Sequence, residues 1–371
     1  MAKKVMLKPT EEQEIKLWKA AGTARWTYNW CLAKQIEARK ENQKYIRENL
    51  LRKEITQLKK TEEFKWLNEV SSNIPKQASK DLDMAFKRYF KNSKQGVGYP
   101  KFKSRKKSKH SFYSNYENFK VKGASVHIEK VGWIKTTEQL PKSNKYLNPR
   151  VSHDGKYWYV SVGIETEFKS LDLLDTSLGV DVGLKELAIC SNGMTFKNIN
   201  KTRVVKRLEK RLKRLQRQVS RKYELNKQDD KFVKTENLVK LEKRIKLIYR
   251  KLTNIRNNYL HQVSTSIVKT KPRRIVMEDL NVRGMMKNKH LSKSIAQQKL
   301  YELKRQIQYK CEKYGIKFVS ADRWFPSSKK CSSCGKIKKE LKLFDRIYRC
   351  ECGLEIDRDL NASINLANYS I

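Results

Sequence analysis

Acidic residues stand at three places in this chain where an acid is costly or informative. Asp181 lies inside the apolar run LGVDVG, Glu278 closes the apolar run IVME, and Asp357 and Asp359 open a late segment, DRDLNAS. A carboxylate embedded in a strand is strongly destabilising unless it is paired or bound to a metal. Each acid also has a plainer reading on its own. Asp181 can pair with a lysine, Glu278 can be a surface acid at a strand end, and Asp357 or Asp359 can cap a helix. Taken together, two strand acids and a helix acid form an all-oxygen donor set of the kind Mg²⁺ prefers.

A second cluster is built from sulfur. Cys331 and Cys334 are followed, after fifteen intervening residues, by Cys350 and Cys352, and Gly335 and Gly353 stand directly behind the two pairs. Two tight pairs on knuckle turns bring four thiolates to a tetrahedron, which suits structural Zn²⁺ and leaves no open position for catalysis. Disulfides or an iron–sulfur cluster are the competing readings. The remaining cysteines, Cys31, Cys190 and Cys311, sit singly in apolar patterns and read as small buried hydrophobes in a reducing compartment.

Composition limits what such sites act on. The 371 residues include 84 Lys and Arg against 39 Asp and Glu, a formal charge of +45. Such an excess self-repels unless a polyanion neutralises it, and nucleic acid is the partner that does so with a gain from counterion release. A ribosomal or chromatin-coating protein and an anionic membrane surface are the blander alternatives. No apolar run is long enough to span a bilayer, and no apolar stretch follows the first lysines, so a cytoplasmic location is expected.

The elements that would position these residues follow from periodicity. VMLKP at 5–9 reads as a strand, and helices follow from about Glu11 to Phe90, with breaks or bends expected at Gly22 and Pro75. Residues 92–111 turn basic and Gly-containing, like a phosphate-binding loop. From 112 to 167 the pattern is β, with a hairpin at HDGK (153–156), as in a small barrel or sheet. A polar stretch, DLLDTS, precedes a buried strand at LGVDVG and a meander through LKELAICSNG into MTF. Val205, Leu208, Leu212, Leu215 and Val219 form one seam, and Leu238, Leu241, Ile245, Ile248, Leu252 and Ile255 form a second. These predict an antiparallel helical hairpin turning through YELNKQDDK. RRIVMEDL reads as a strand, SIAQQKLYELKRQIQYKCEKYG as one helix ended by Gly315, IKFVSA as a strand and DLNASINLANY as the last helix.

Several segments resemble the TnpB family of transposon-encoded nucleases and their relatives, the compact type V CRISPR nucleases. They are LKPTEEQ, RWTYNW, GYPKFKSRK, GVDVGLKELA, RLKRLQRQVSRK, RRIVMEDLNVRGM, RWFPSSKKCSSCG and CECGLEIDRDLNAS, and they span nearly the whole chain. The order of strand Asp, strand Glu and helix acid is likewise that of RNase H-like nucleases. The resemblance implies an α+β multidomain chain with an RNase H-like (RuvC) nuclease domain carrying an inserted helical hairpin and zinc ribbon, an N-terminal helical recognition lobe and a small β-barrel wedge. The implied borders are a first wedge strand at 1–10, the helical domain at 11–95, the wedge at 96–172 and the nuclease domain at 173–371, with the hairpin at 201–268 and the zinc insertion at 325–355.

The same resemblance implies that Asp181, Glu278 and Asp359 are catalytic and hold two Mg²⁺ ions, with Mn²⁺ a candidate substitute. Asp359 is chosen over Asp357 because the family places an Asp directly ahead of x-Asn-Ala; Ser363 stands where the family often has Ala. Cys331, Cys334, Cys350 and Cys352 would hold zinc. The implied partners are a guide RNA from the transposon end and double-stranded target DNA beside a short adjacent motif, in a monomeric, nucleoid-associated prokaryotic ribonucleoprotein with no membrane contact. Lys101, Lys103, Arg105, Lys106, Lys107, Arg211, Arg214, Arg217, Arg221 and Lys222 are expected to follow phosphates, with Arg244, Lys246 and Arg250 beside them, against the alternative of a solvated face. Trp26, Tyr28 and Trp30 are expected to be core rather than base-stacking residues. A DDE-like transposase joining DNA ends, a guided repressor that binds without cutting and a structural RNA-binding protein are the rival functions.

Overall fold

The computed structural model describes residues 2–106, 108–165, 172–228, 231–341 and 345–370, and the chain divides into two compact units, Met1–Thr166 and Glu167–Ile371. Among the described residues no helix is long and apolar enough to cross a membrane.

The first unit begins with β1 (Ala2–Lys8), α1 (Glu11–Lys40), α2 (Glu48–Leu58) and α3 (Asn73–Asn92). It continues through β2 (Ser111–Tyr113), β3 (Lys120–Lys122), β4 (Ser125–Ile128), β5 (Gly132–Thr136), β6 (Tyr146–His153) and β7 (Trp158–Ile164). The TEEQ sequence starts α1 through a capping box, in which Thr10 Oγ1 accepts from the Gln13 N–H and the Gln13 side chain accepts from the Thr10 N–H. Of the two expected breaks, the one at Gly22 is absent and the one at Pro75 falls at the start of a helix. Gly22 lies inside unbroken α1, and its Cβ position meets nothing within 4 Å. A lone helical glycine costs only about 1 kcal/mol, which packing of the flanking Leu17, Ala20 and Ala21 offsets. Pro75 lies in the first turn of α3, where no amide donor is required.

The strands form one antiparallel sheet in the order β2-β6-β7-β1-β5-β4-β3. β1 joins its two halves, pairing with β7 through Ala2–Met6 and with β5 through Leu7 and Lys8. Among the described residues β2 and β3 end the order without pairing to each other. Its core includes Val5, Val126, Ile134, Val151 and Trp158, together with Leu17, Ala20, Ala21 and Ile74 from the helices. The helices thus contribute to the sheet's core at one end, while Tyr28, Leu32, Leu51, Ile55, Leu67, Leu82 and Phe86 form a second core that is helical throughout.

The second unit begins with β8 (Leu174–Val182), β9 (Glu186–Cys190) and β10 (Thr195–Lys197). α4 (Arg203–Leu225), a short ribbon of β11 (Lys227–Gln228) and β12 (Lys231–Phe232), and α5 (Glu236–Lys269) form the expected hairpin. Its seam is Val205, Leu212 and Leu215 against Ile248 and Leu252. Then come β13 (Pro272–Glu278), α6 (Val282–Met285), α7 (Ser292–Gln298), α8 (Leu300–Tyr314) and β14 (Lys317–Ala321). β15 (Ile347–Arg349), β16 (Glu355–Asp357) and α9 (Arg358–Ala367) complete the unit.

Two expectations need correction here. The polar stretch expected before the buried strand is largely the first half of β8. The single helix expected over SIAQQKLYELKRQIQYKCEKYG is two helices, broken at Lys299, which adopts φ +54°. Lysine has no special preference for left-handed backbone, so no residue type marked the break.

The main sheet runs β10-β9-β8-β13-β14, with β8, β13 and β14 parallel and β9 and β10 antiparallel. One face, through Leu178, Val180, Ile275 and Met277, packs on α5 and α8 residues such as Val263, Ile267, Leu303 and Ile307. The other face receives α9, with Val276, Val319, Ala321 and Leu366 in contact. α5 therefore belongs to both cores: its first half completes the hairpin and its second half covers the sheet.

Candidate active site and metal centre

Strand register brings Asp181 and Glu278 together. β13 pairs with β8 in parallel, with Val276 opposite Gly179 and Met277 opposite Val180. One step further along both strands stand Glu278 and Asp181, at the carboxyl ends where open α/β sheets place their sites. Strand alternation puts Gly179 and Asp181 on the same face. That face carries α9. A Cβ on Gly179 would come 1.9 Å from the Ser363 carbonyl oxygen and 2.4 Å from the Ala367 nitrogen, so the close seating of α9 requires glycine there. At the other end of α9, Arg274 donates to the Ala367 carbonyl and to Ser177 Oγ.

The start of α9 separates its two acids. Asp357 is the N-cap, and its Oδ1 accepts from the backbone N–H groups of Asp359 and Leu360 at 2.9 and 3.0 Å. Asp359 is left uncommitted to the cap and lies close enough to Asp181 for its charge to act there. Burial raises the Asp181 carboxyl well above the ordinary carboxylate range, and repulsion from Glu278 and Asp359 raises it further, with Arg358 acting in the opposite direction. A carboxyl group whose charge is opposed by burial and by two neighbouring carboxylates suits a site completed by divalent cations.

Several residues beside the acids carried no signal in the sequence reading. Ser327 donates its hydroxyl to Glu278 Oε1. Arg358 and Arg346 lie 3.3 and 3.9 Å from the carboxylate oxygens of Asp359. Lys304 donates to Asp279 Oδ1, Ser320 Oγ and the Glu278 carbonyl, and Arg323 holds the other Asp279 oxygen. These two cations keep the Asp279 carboxyl below its usual range. A cavity of about 180 Å³ lies beside Glu278, with Tyr301, Lys304 and Arg305 in its wall. Only the run of acids in MEDL and DRD hinted that cations would gather here.

The four clustered cysteines converge. Their Sγ atoms lie within 4.8 Å of one another, with Cys331–Cys352 and Cys334–Cys350 both 3.6 Å apart. A tetrahedral zinc site with Zn–S bonds of about 2.3 Å spaces its sulfurs about 3.8 Å apart, so the donor set fits. Although burial opposes ionisation of Cys331, hydrogen bonds from the Cys334 and Ser333 backbone and from the neighbouring thiols bring it down to about 6. Cys31, Cys190 and Cys311 are fully buried, and burial pushes their thiols up to about 11, 12 and 12.

The basic residues divide. Lys101, Arg105 and Lys106 are exposed, as are Arg211, Arg214, Arg217 and Arg221 on the α4 face turned from the hairpin seam, while Lys222 is half-buried. Arg244 and Lys246 are exposed on α5 and Arg250 is half-buried. Lys107 lies outside the described residues. Lys103 has an internal role: its ammonium sits 3.5 Å from the Tyr28 ring centroid and its backbone is bonded on both sides to Asn29. Tyr28 is buried in the helical core, with Trp26 and Trp30 packed against it, as expected of core residues.

Comparison with known proteins agrees with this architecture. A family model described as "Probable transposase" matches residues 172–289, one described as "Cas12f1-like, TNB domain" matches 301–366, and a "Helix-turn-helix domain" model matches 1–44. In this structure residues 1–44 hold β1 and the single helix α1. A Streptomyces pristinaespiralis protein named "Putative RNA-guided DNA endonuclease" is 33% identical, covering 96% of this chain and 86% of its own. InsQ of Escherichia coli K12, of the same description, is 29% identical, covering 98% and 90%. Among solved structures, the protein chain of a Cas12f1–sgRNA–target DNA complex matches with a TM-score of 0.57 at 15% identity, over 96% of this chain and 82% of that one, which establishes a shared fold. The class is thus a transposase-group protein sharing the fold of a compact CRISPR nuclease. Within it, the chain belongs to the TnpB family.

Proposed function

We propose that this protein is a transposon-encoded, RNA-guided DNA endonuclease whose active site is Asp181, Glu278 and Asp359 on an RNase H-like (RuvC) domain. The observation that carries the proposal is the convergence of three carboxyl groups at one sheet end, close enough that Glu278 and Asp359 both oppose ionisation of Asp181. The names of the relatives favour the same activity. So does the excess of 84 basic over 39 acidic residues, which suits a guide RNA and a double-stranded DNA target.

Asp181, Glu278 and Asp359 would hold two Mg²⁺ ions, which supply charge neutralisation and an activated water for phosphodiester hydrolysis. The chain's own contribution is orientation. Ser327 fixes one Glu278 oxygen, Arg358 moderates the local negative charge, and Lys304 braces the strand end through Asp279 and the Glu278 carbonyl. Cys331, Cys334, Cys350 and Cys352 would hold a structural Zn²⁺. The helices of the first unit would serve as recognition lobe and its sheet as wedge, with the motif beside the target read by protein and the remainder by pairing with RNA. Transposase-like joining of DNA ends and guided binding without cleavage are the alternatives.

The direct test is to sequence the RNA that co-purifies with the protein and use it to programme plasmid cleavage in Mg²⁺ across a library of adjacent motifs. Guided cleavage lost in Asp181→Ala with binding retained is the expected result. Strand transfer without RNA, or no cleavage anywhere in the library, rejects the proposal.

A further inference from the structure

A second cavity, of about 410 Å³, lies wholly within the first unit and is walled by aromatic rings. α1 supplies Arg39 near its end, the following turn supplies Tyr45, α3 supplies Phe86 and Phe90, and the loop beyond supplies Tyr99. The rings contact one another. Tyr45 meets Phe90 edge-on at 5.8 Å, Phe86 lies nearly parallel to Phe90 at 5.8 Å, and Phe86 meets Tyr99 edge-on at 5.2 Å. Only Phe86 is core, at 2% exposure, whereas Phe90 is 59% exposed and Tyr45 38%.

The wall is also held in place. Gln35 clamps the segment beside Tyr45 by bonding both the N–H and the carbonyl of Ile46, and the Tyr45 hydroxyl donates to Asp83 at 3.1 Å. Arg39 lies 5.4 Å from the Tyr99 ring centroid, and Lys44 and Lys91 are exposed nearby.

We infer that this cavity is a binding site for an unstacked nucleobase, held against Phe90 and Tyr45, with Arg39 and Lys44 engaging the adjoining phosphate. Flat rings kept exposed and fixed next to cations are what base stacking requires, because every base presents a π-face and carries a phosphate beside it. A purely apolar partner would gain nothing from the cations, and Phe90 keeps 59% of its surface exposed although it packs on Tyr45, Phe86 and Tyr89. The site belongs to the first unit and the carboxylates to the second, and the proposal rests on the guided-nuclease reading only for the choice of probe.

The test uses the full chain and two probes: the RNA recovered from the ribonucleoprotein, resynthesised, and single-stranded DNA of the same sequence. Phe90→Ala should weaken binding of the probe that supplies the base about tenfold, the scale of one lost aromatic–base stack, while Phe90→Trp retains it. The salt dependence of binding should stay unchanged in Phe90→Ala, because no phosphate contact is removed, and should become shallower in Arg39→Ala. Loss with RNA alone assigns the base to the guide, and loss with DNA alone assigns it to the target. Unchanged affinity for both probes in a Phe90→Ala protein that melts like the parent overturns the proposal, as does failure of the parent to bind either probe. Binding is read without cleavage, so failure of the nuclease reading remains a separate result.

Discussion

Asp181 and Glu278 stand side by side on parallel strands, one step beyond the Val180–Met277 pair, and the repulsion between them helps hold the Asp181 carboxyl above its usual range. The pair is therefore unfavourable for folding, and a functional cation would relieve it. Asp181→Asn removes one repelling charge at nearly constant shape. It should raise the metal-free melting temperature at pH 8 while lowering guided cleavage by about a thousandfold or more, the scale of several kcal/mol of lost transition-state stabilisation. Calorimetry and single-turnover cleavage measure the two effects. A variant that is less stable and still cuts would contradict this account of the pair.

Asp357 caps α9, whereas Asp359 is the proposed third acid of the site, and substitution should separate the two roles. Asp357→Ala removes the cap of α9 and should cost about 1 kcal/mol in a denaturation curve, with Asp357→Ser recovering most of it. Asp359→Asn leaves the cap intact and should abolish cleavage without lowering the unfolding midpoint. Cleavage that survives Asp359→Asn and disappears in Asp357→Ser would reverse the assignment.

These two acids also show where sequence legibility ends. The strand acids were readable because a charge inside an apolar run conflicts with its surroundings, and the hairpin was readable because its seams repeat every three or four residues. DRD offered two acids that residue type alone does not distinguish; the family resemblance favoured Asp359, and the cap geometry at Asp357 supports the same choice. Lys299 was opaque because its left-handed backbone is set by tertiary contacts, including its bond to Asn257, rather than by residue type. Ser327 and the aromatic wall at Phe90 are assembled across long sequence separations, and no local pattern announces them.

The cysteine module should matter to cleavage without taking part in it. Asn361 on α9 accepts from the Ser332 N–H and donates to the Lys330 carbonyl, and Asn365 donates to the Ser327 and Lys330 carbonyls. The knuckle is thereby tied to the helix that carries Asp359. Cys334→Ser, or a strong chelator, should remove about one zinc per chain by elemental analysis and loosen this tie. Guided cleavage should fall at least tenfold even with Mg²⁺ in excess, and Asp181→Asn should keep its zinc. Full activity in zinc-free protein would show that the knuckle does not support the site.

Lys310 gives the second unit a pH dependence of its own. Its ammonium lies between α8 and α5 and donates to the His261 carbonyl, Ser264 Oγ and Thr265 Oγ1 at 3.0, 2.6 and 2.7 Å. Burial, with a smaller push from Lys313, brings its pKa down to about 8, whereas an unfolded lysine titrates near 10.4. Between these values the unfolded chain binds more protons than the folded one, so this group's contribution to stability rises with pH from about 8 towards 10.4. Lys310→Met keeps the volume, and Ser264 and Thr265 retain backbone acceptors at Leu260 and His261. The variant should lie within about 1 kcal/mol of the parent at pH 7.5 and lose ground to it at pH 9.5. Urea denaturation of both proteins at the two pH values measures the difference, which cancels the contributions of the buried cysteines and tyrosines that both share. Parallel stability profiles for parent and variant would mean that Lys310 titrates as an ordinary exposed lysine.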